Sequence, residues 1–433
     1  MHFVLNQLVS PCVVLVGFMA LGFGGQTMAW ASSEPTVLSL EQAIDLATTQ
    51  HPLVQQKRRN LDASAQDIKA AQYKWLPTLT LETSQTLGGQ PQILGNSDPY
   101  AGNIKVEQPL WSGGRITSEI DMAEARKQIA QLQLQETQQD LMLRVLQAFL
   151  DYQKLTTRLT IAQDNIQEHQ RLYELISRRQ KQQVTSEADV ALAFARLQQV
   201  LAERNSMRAQ HQAGRLGLEQ LTGRALTQNM SLKEATERTL VWQDEWTAQG
   251  AARATSPILH RLRAETMLSE ADLNFRKNQV LPQINLRHER FMGATINVPF
   301  DRTMLVLQYQ PGSGVSAWPS MDAAVKRLEA SQSAYEAGAR EVTEKVSSQW
   351  IEVTSFKEML VVTSQYAAAA QEVMASYLRQ YTAGRKTWLE VLNAQKEWVQ
   401  ARYAQVDNAF AYKLGVYKLD VLTGVLLHHT KNP

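Results

Sequence analysis

The 433-residue chain contains a single cysteine, Cys12, and it lies in the apolar N-terminal segment. Once that segment is removed, no disulfide, thiolate nucleophile or Cys-based metal site is possible. Neither sign of charge dominates. The 44 Lys+Arg nearly cancel the 42 Asp+Glu and leave +2, which argues against a strongly basic nucleic-acid binder and against an acidic disordered chain. After residue 31 no run of 18 apolar residues occurs, so no transmembrane helix is expected, and entry into a membrane would require the strands of a closed barrel. Breakers are scarce in a patterned way. None of the 13 prolines falls between Pro109 and Pro257 or between Pro319 and Pro433, and neither Gly nor Pro occurs between Gly114 and Gly214. An α/β enzyme needs a turn roughly every 10–20 residues, built largely on Gly, Pro, Asn and Asp. The sequence excludes that architecture.

Catalytic signatures are also missing. No HExxH, nucleophile elbow or Walker motif is present, and Gly312-Ser313-Gly314 lacks the strand-then-helix context of a phosphate loop. His428-His429 is a lone pair at the chain terminus. No enzyme activity, cofactor or metal site is expected. Residues 1–31 read as a secretory signal: an apolar run from Val13 through Phe23, then Ala29-Trp30-Ala31 as a small-x-small cleavage site. The alternative, a transmembrane anchor, is opposed by the shortness of the run and its glycines.

What is present is a duplication. Residues 52–81 align without a gap on 257–286, with Pro52/Pro257, Arg58/Arg263, Ser64/Ser269, Asp67/Asp272, Leu76/Leu281, Pro77/Pro282 and Leu81/Leu286 coinciding. Near the other end, Leu221-Thr222-Gly223 matches Leu422-Thr423-Gly424, and Asp189-Val190 matches Glu390-Val391. Two collinear matches at equivalent breakers predict an internal repeat. The expected organisation is a signal over 1–31, a first copy over 32–223, a connector over 224–256 carrying Trp242 and Trp246, a second copy over 257–424 and a tail over 425–433.

Each copy reads as helix, two strands, very long helix, turn, helix. The first helix runs from Pro52 to about Lys74 and ends at Leu76-Pro77, because proline removes a donor and pushes its predecessor out of the helical region. Alternation follows: Leu79, Leu81 and Thr83 on one face, Thr78, Thr80, Glu82 and Ser84 on the other, then Ile104, Val106 and Gln108 against Lys105 and Glu107. Ile284, Leu286, Leu305, Leu307 and Tyr309 repeat the pattern. Barrel strands and a soluble hairpin share this signal. The long helix carries a stripe, Met142, Val145, Phe149, Tyr152, Leu159, Ala162, Ile166, Tyr173 and Ile176, at coiled-coil spacings. At 1.5 Å per residue, Gly114 to Gln180 spans about 100 Å, while Ser186–Leu221 and Pro52–Lys74 span about 54 and 35 Å. Two short helices stacked end to end therefore nearly match the long one. Ser186 with Asp189, and Thr387 with Glu390, fit an N-cap signal at equivalent points of the two copies.

These residues resemble the TolC-type outer-membrane efflux and secretion channels, from Leu38-Ser39-Leu40-Glu41-Gln42-Ala43 to Leu422-Thr423-Gly424. The most specific piece is Tyr381-Thr382-Ala383-Gly384-Arg385-Lys386-Thr387-Trp388-Leu389-Glu390-Val391-Leu392-Asn393-Ala394-Gln395; Gln108-Pro109-Leu110-Trp111-Ser112-Gly113-Gly114-Arg115 is similarly typical. The resemblance implies a mainly α fold with a membrane β part. Long α-helical coiled-coil hairpins would form a periplasmic tunnel, and four strands per chain would enter a trimeric 12-stranded barrel. It implies a homotrimer in outer-membrane lipid, a periplasmic adaptor, an inner-membrane ABC or proton-driven transporter, and no nucleic acid.

By the same resemblance Glu390 and Asn393 lie at the pore constriction, where Asn393 replaces a family acid and lowers the ring's charge. Asp189, Tyr381 and Lys386 are implied as a gate latch, and Gln183, Val184, Gly384, Arg385 and Trp388 as adaptor-docking turns, with Gln183 standing where the family usually has Gly. Asp189 and Glu390 are also ordinary N3 capping residues, and Trp388 also reads as a packed side chain. The run from Arg171 to Leu197 resembles the type I secretion branch. The alternative is a periplasmic adaptor or coiled-coil scaffold without a channel of its own.

Overall fold

The computed structural model describes residues 37–85, 100–226, 232–292, 301–309 and 316–426. The signal segment, His428-His429 and Gly312-Ser313-Gly314 lie outside them. In chain order the elements are α1 (Leu40–Gln50), α2 (Pro52–Tyr73), β1 (Thr78–Gln85), β2 (Tyr100–Trp111), α3 (Arg115–Lys181) and α4 (Glu187–Thr222). Then come α5 (Glu245–Thr255), α6 (Pro257–Asn278), β3 (Gln283–Met292), β4 (Asp301–Gln308), α7 (Ala317–Thr382) and α8 (Trp388–Leu422). The architecture is mostly helical with one small antiparallel sheet, as the breaker pattern requires.

The proline-free stretches are the long helices. α3 has 67 residues and α7 has 66, each about 100 Å long at 1.5 Å per residue. Along α3 pack α2 and α4, and along α7 pack α6 and α8, with α3 also touching α6 and α8. Of the expected stripe, Met142, Val145, Phe149, Ala162, Ile166 and Ile176 are buried, and Tyr152, Leu159 and Tyr173 are half-buried. Among the described residues no helix is long and apolar enough to cross a membrane.

The four strands form one sheet in the order β1-β2-β3-β4. The two copies thus meet at the β2–β3 pair, whose register shifts between Pro109 and Trp111, where proline cannot donate to the ladder. Registration across the sheet sorts its two faces. One carries Thr80, Lys105, Glu107, Arg287, Glu289 and Arg302; the other carries Leu79, Leu81, Val106, Leu286, Leu305 and Leu307. Leu79, Leu81, Leu305 and Leu307 are 72%, 70%, 66% and 68% exposed.

Two helices go beyond the expected plan. α1 and α5 are each 11 residues long, and each is followed after one residue by a helix with proline at its first position. The stretch read as a connector therefore holds a second-copy counterpart of α1. Ala248 and Ala252 of α5 pack with Val342 and Val346 of α7. Trp242 donates its indole N–H to the Thr423 hydroxyl at 3.1 Å, whereas Trp246 is exposed. The largest core lies at this level, where Leu40, Ile44, Val145, Phe149, Leu218 and Tyr417 meet.

Candidate functional site

At the far end from the sheet, the chain reverses twice, from α3 to α4 and from α7 to α8. The two turns close alike. The N–H of Val184 reaches the carbonyl of Arg179 at 3.0 Å, and that of Arg385 reaches Gln380 at 2.9 Å. These bonds mark Schellman closures, which need a left-handed residue just past the helix. Gly384 supplies it at φ 72°, and Gln183 adopts the same region at φ 58°. The departure from glycine leaves the backbone of the first turn unchanged and adds a side chain. Gln183, Val184, Gly384 and Arg385 are all exposed.

Glu390 is held at the start of α8 by three donors. Lys386 Nζ meets Oε1 at 2.7 Å, and the Thr387 N–H and hydroxyl meet Oε2 at 2.8 and 2.9 Å. The Glu390 N–H returns a bond to Thr387 Oγ1 at 3.4 Å, completing a capping box. The lysine hydrogen bond, then the two Thr387 bonds, lower the carboxyl pKa to about 2. Lys386, whose pKa Glu390 raises, also sits 4.3 Å above the Tyr377 ring. Asn393 is exposed one helical turn on.

The three residues expected to latch the hairpins are joined only in part: Asp189 and Tyr381 share Thr185, and Lys386 stands apart. Lys386, in the turn before α8, pairs with Glu390 in the first turn of that helix. Asp189 accepts from the Thr185 and Ser186 hydroxyls at 2.8 and 2.9 Å, while its N–H donates to Ser186 Oγ at 3.2 Å. Tyr381 does lie between the hairpins, and there the sequence reading missed a residue. Arg179 donates to the Tyr381 carbonyl at 3.4 Å and places its guanidinium 4.8 Å above the ring. Burial raises the Tyr381 phenol pKa and Asp189 adds to the rise, against the lowering effects of Arg179 and of a hydrogen bond with Thr185, whose hydroxyl also reaches Asp189. Basic residues in a last helical turn serve the helix dipole, so Arg179 carries no distinguishing mark in the sequence.

Of the two readings of Trp388, the structure takes the packed side chain and not the docking contact. Assigned to the docking surface, it is 3% exposed and packs 5.3 Å from the Tyr381 ring, within a cluster of Leu172, Ile176, Ala193 and Val391. Its indole N–H is buried without an acceptor among the described residues.

Further from the turns, polar contacts tie α3 to α8: Arg158 to both Asp407 oxygens at 3.1 and 3.0 Å, Arg402 to Asp164 at 3.0 Å, and Gln395 to Asn165 at 3.1 Å. Beside them runs a cleft of roughly 480 Å³ lined by His169, Arg196, Glu203 and Tyr403. His169 is 5% exposed, and burial, helped by Arg196, lowers its pKa to about 4. At the sheet, a chain of ion pairs crosses the polar face: Lys105–Glu107 at 3.1 Å, Arg287–Glu107 at 3.3 Å and Arg302–Glu289 at 2.7 Å.

The family model described as outer membrane efflux protein matches residues 43–224 and 315–425. No curated protein matches the sequence. Among solved structures, VceC of Vibrio cholerae has a TM-score of 0.76 at 15% identity, over 89% of this chain and 96% of that one. CmeC of Campylobacter jejuni has 0.76 at 10% identity, over 91% and 89%. MtrE of Neisseria gonorrhoeae, in its open state, has 0.74 at 15% identity, over 89% and 88%. These likenesses show a shared fold. With the family model covering most of both helical hairpins, the chain belongs to the outer membrane efflux protein family.

Proposed function

We propose that the chain is the outer-membrane exit duct of a tripartite export system. Three copies close a twelve-stranded barrel in the outer membrane, and their helices form a periplasmic tunnel. The observation that carries this reading is the sheet: leucines exposed along one face, where the one ion pair among the described residues, Arg290–Asp301, lies at the β3–β4 end, paired charges across the middle of the other, and β1 and β4 each with one strand partner among the described residues. Open edges and exposed apolar faces are unstable in water, and open edges do not survive in lipid, so closure by further copies satisfies both. The helices of about 100 Å supply the tunnel's length.

A periplasmic adaptor docks at the exposed turns around Gln183, Val184, Gly384 and Arg385, and an inner-membrane transporter delivers the cargo. Glu390 and Asn393 line the constriction. Opening separates the two hairpins at the tips, a two-state element that adaptor binding biases. The family description supports efflux; protein export by type I secretion shares the same duct and differs in the transporter. Crosslinking from Val184 and Arg385 decides between them, through capture of a proton-driven pump or of an ABC exporter. The duct itself is tested by fractionation and planar-bilayer recording. An outer-membrane trimer that conducts is expected, and a water-soluble monomer refutes the proposal.

A further inference from the structure

The two hairpins of one chain need something to hold their ends together, and the acidic side chain expected to do so reaches Tyr381 only through the Thr185 hydroxyl. Asp189 spends its Oδ2 on the hydroxyls of its own turn, and Lys386 on Glu390. Between the ends of α3 and α7 stands the Arg179 guanidinium, over the Tyr381 ring and hydrogen-bonded to the Tyr381 carbonyl. We propose that Arg179 is the positioning residue that clasps the outer hairpin to the inner one, with Tyr381 as its seat and the buried Trp388 as a built-in counterweight. This inference rests on the reading of the chain as a gated duct.

The chemistry suits a reversible clasp. A guanidinium stays charged at any physiological pH and presents a planar face to an aromatic ring while its edge donates to an oxygen. The carbonyl it meets belongs to the last turn of α7 and already accepts the Gly384 N–H at 3.0 Å, so the guanidinium adds a second donor, reaching across from the other hairpin, to an oxygen with two lone pairs. Burial of Tyr381 to 8% exposure shields the contact and strengthens it relative to a surface pair. Trp388 acts in the opposite direction. Its ring supports Tyr381 at 5.3 Å, yet its N–H has given up water without gaining an acceptor among the described residues, which penalises the packed state. A clasp that is attractive at Arg179 and frustrated at Trp388 keeps the closed tip poised rather than locked.

The test uses the full-length channel reconstituted in planar bilayers, with trimer integrity checked on unboiled gels. Arg179→Met keeps the apolar stem and removes the charge. It is expected to raise the ratio of open to closed dwell time about tenfold, the scale of losing a cation–π contact and a charge-assisted hydrogen bond. Trp388→Phe keeps an aromatic ring and removes the orphaned donor, and is expected to lower that ratio about fivefold. Asp189→Asn retains an acceptor for Thr185 and Ser186 and is expected to stay within about twofold of the parent. A conducting parent whose Arg179→Met variant gates like the parent overturns the clasp, as does an Asp189→Asn variant that opens as far as Arg179→Met. A parent that forms no pore overturns the duct reading and the clasp with it.

Discussion

A carboxylate with three donors does not behave as a free carboxylate. Glu390 is held to a pKa of about 2 chiefly by Lys386, so its charge is complete above the ordinary carboxylate range and is lost only as pH falls through about 2. Each copy of the proposed ring is then an anion with its own counter-cation. Glu390→Gln removes the anion and leaves Lys386, and is expected to reduce cation preference. Lys386→Met leaves the anion uncompensated and is expected to increase cation preference and bring the Glu390 pKa up toward its ordinary value. Reversal potentials in a salt gradient measure both; shifts of the same sign refute the arrangement. The capping role of Glu390 was legible in the spacing from Thr387. Its pairing with Lys386 was not, because a contact from the turn onto the first turn of α8 competes with any contact across the hairpins, and sequence spacing does not decide that competition. Gln183 is a second case. The left-handed turn was foreseeable at Gly384 but not at a glutamine, where it costs about 1 kcal/mol. Gln183→Gly is expected to lengthen hydrogen-exchange protection of the last turn of α3.

At the scale of elements, the seams between helices set what can move. His169 lies on the floor of the cleft between α4 and α8, neutral because it is buried and because Arg196 is close. Its pKa falls from the ordinary 6.5 to about 4. The stabilisation that goes with the neutral ring is intact above about 6.5 and is lost as pH falls through about 4, amounting to about 3 kcal/mol per chain at lower pH. His169→Gln is expected to flatten the pH dependence of thermal unfolding between pH 7 and 4; an unchanged slope rules the seam out as its source. The α7–α8 seam is tighter. A Cβ added at Gly415 would stand 2.7 Å from Val353 Cγ2, so Gly415→Ala is expected to destabilise the pair by about 1–3 kcal/mol, read as a lowered Tm. The long helices were legible because tens of residues without a breaker leave no competing structure. The 11-residue α1 and α5 were not, since three turns yield too little periodicity and much of their stability comes from packing on α3 and α7.

For the whole molecule, the sheet raises the question of completeness. Its strands are 8, 12, 10 and 8 residues long over the described residues, close to the roughly 9–11 that a tilted barrel strand needs. Alternation along the chain determined neither the faces' environments nor the strand order, because a soluble hairpin alternates in the same way; register across β2–β3 is what separates the leucines from the central ion pairs. If the leucine face meets lipid and the charged face a water-filled lumen, the two faces must tolerate opposite substitutions. Leu305→Arg places an unpaired charge on the apolar face and is expected to cost up to about 4 kcal/mol per chain. Three copies multiply that cost in one barrel, so assembled trimer in the outer membrane should fall sharply. Thr80→Glu places a charge on the other face, opposite Lys105 in register, where a partner and water are both available, and trimer yield should hold. Equal tolerance of the two substitutions would mean that neither face meets lipid, and the barrel would have to be abandoned.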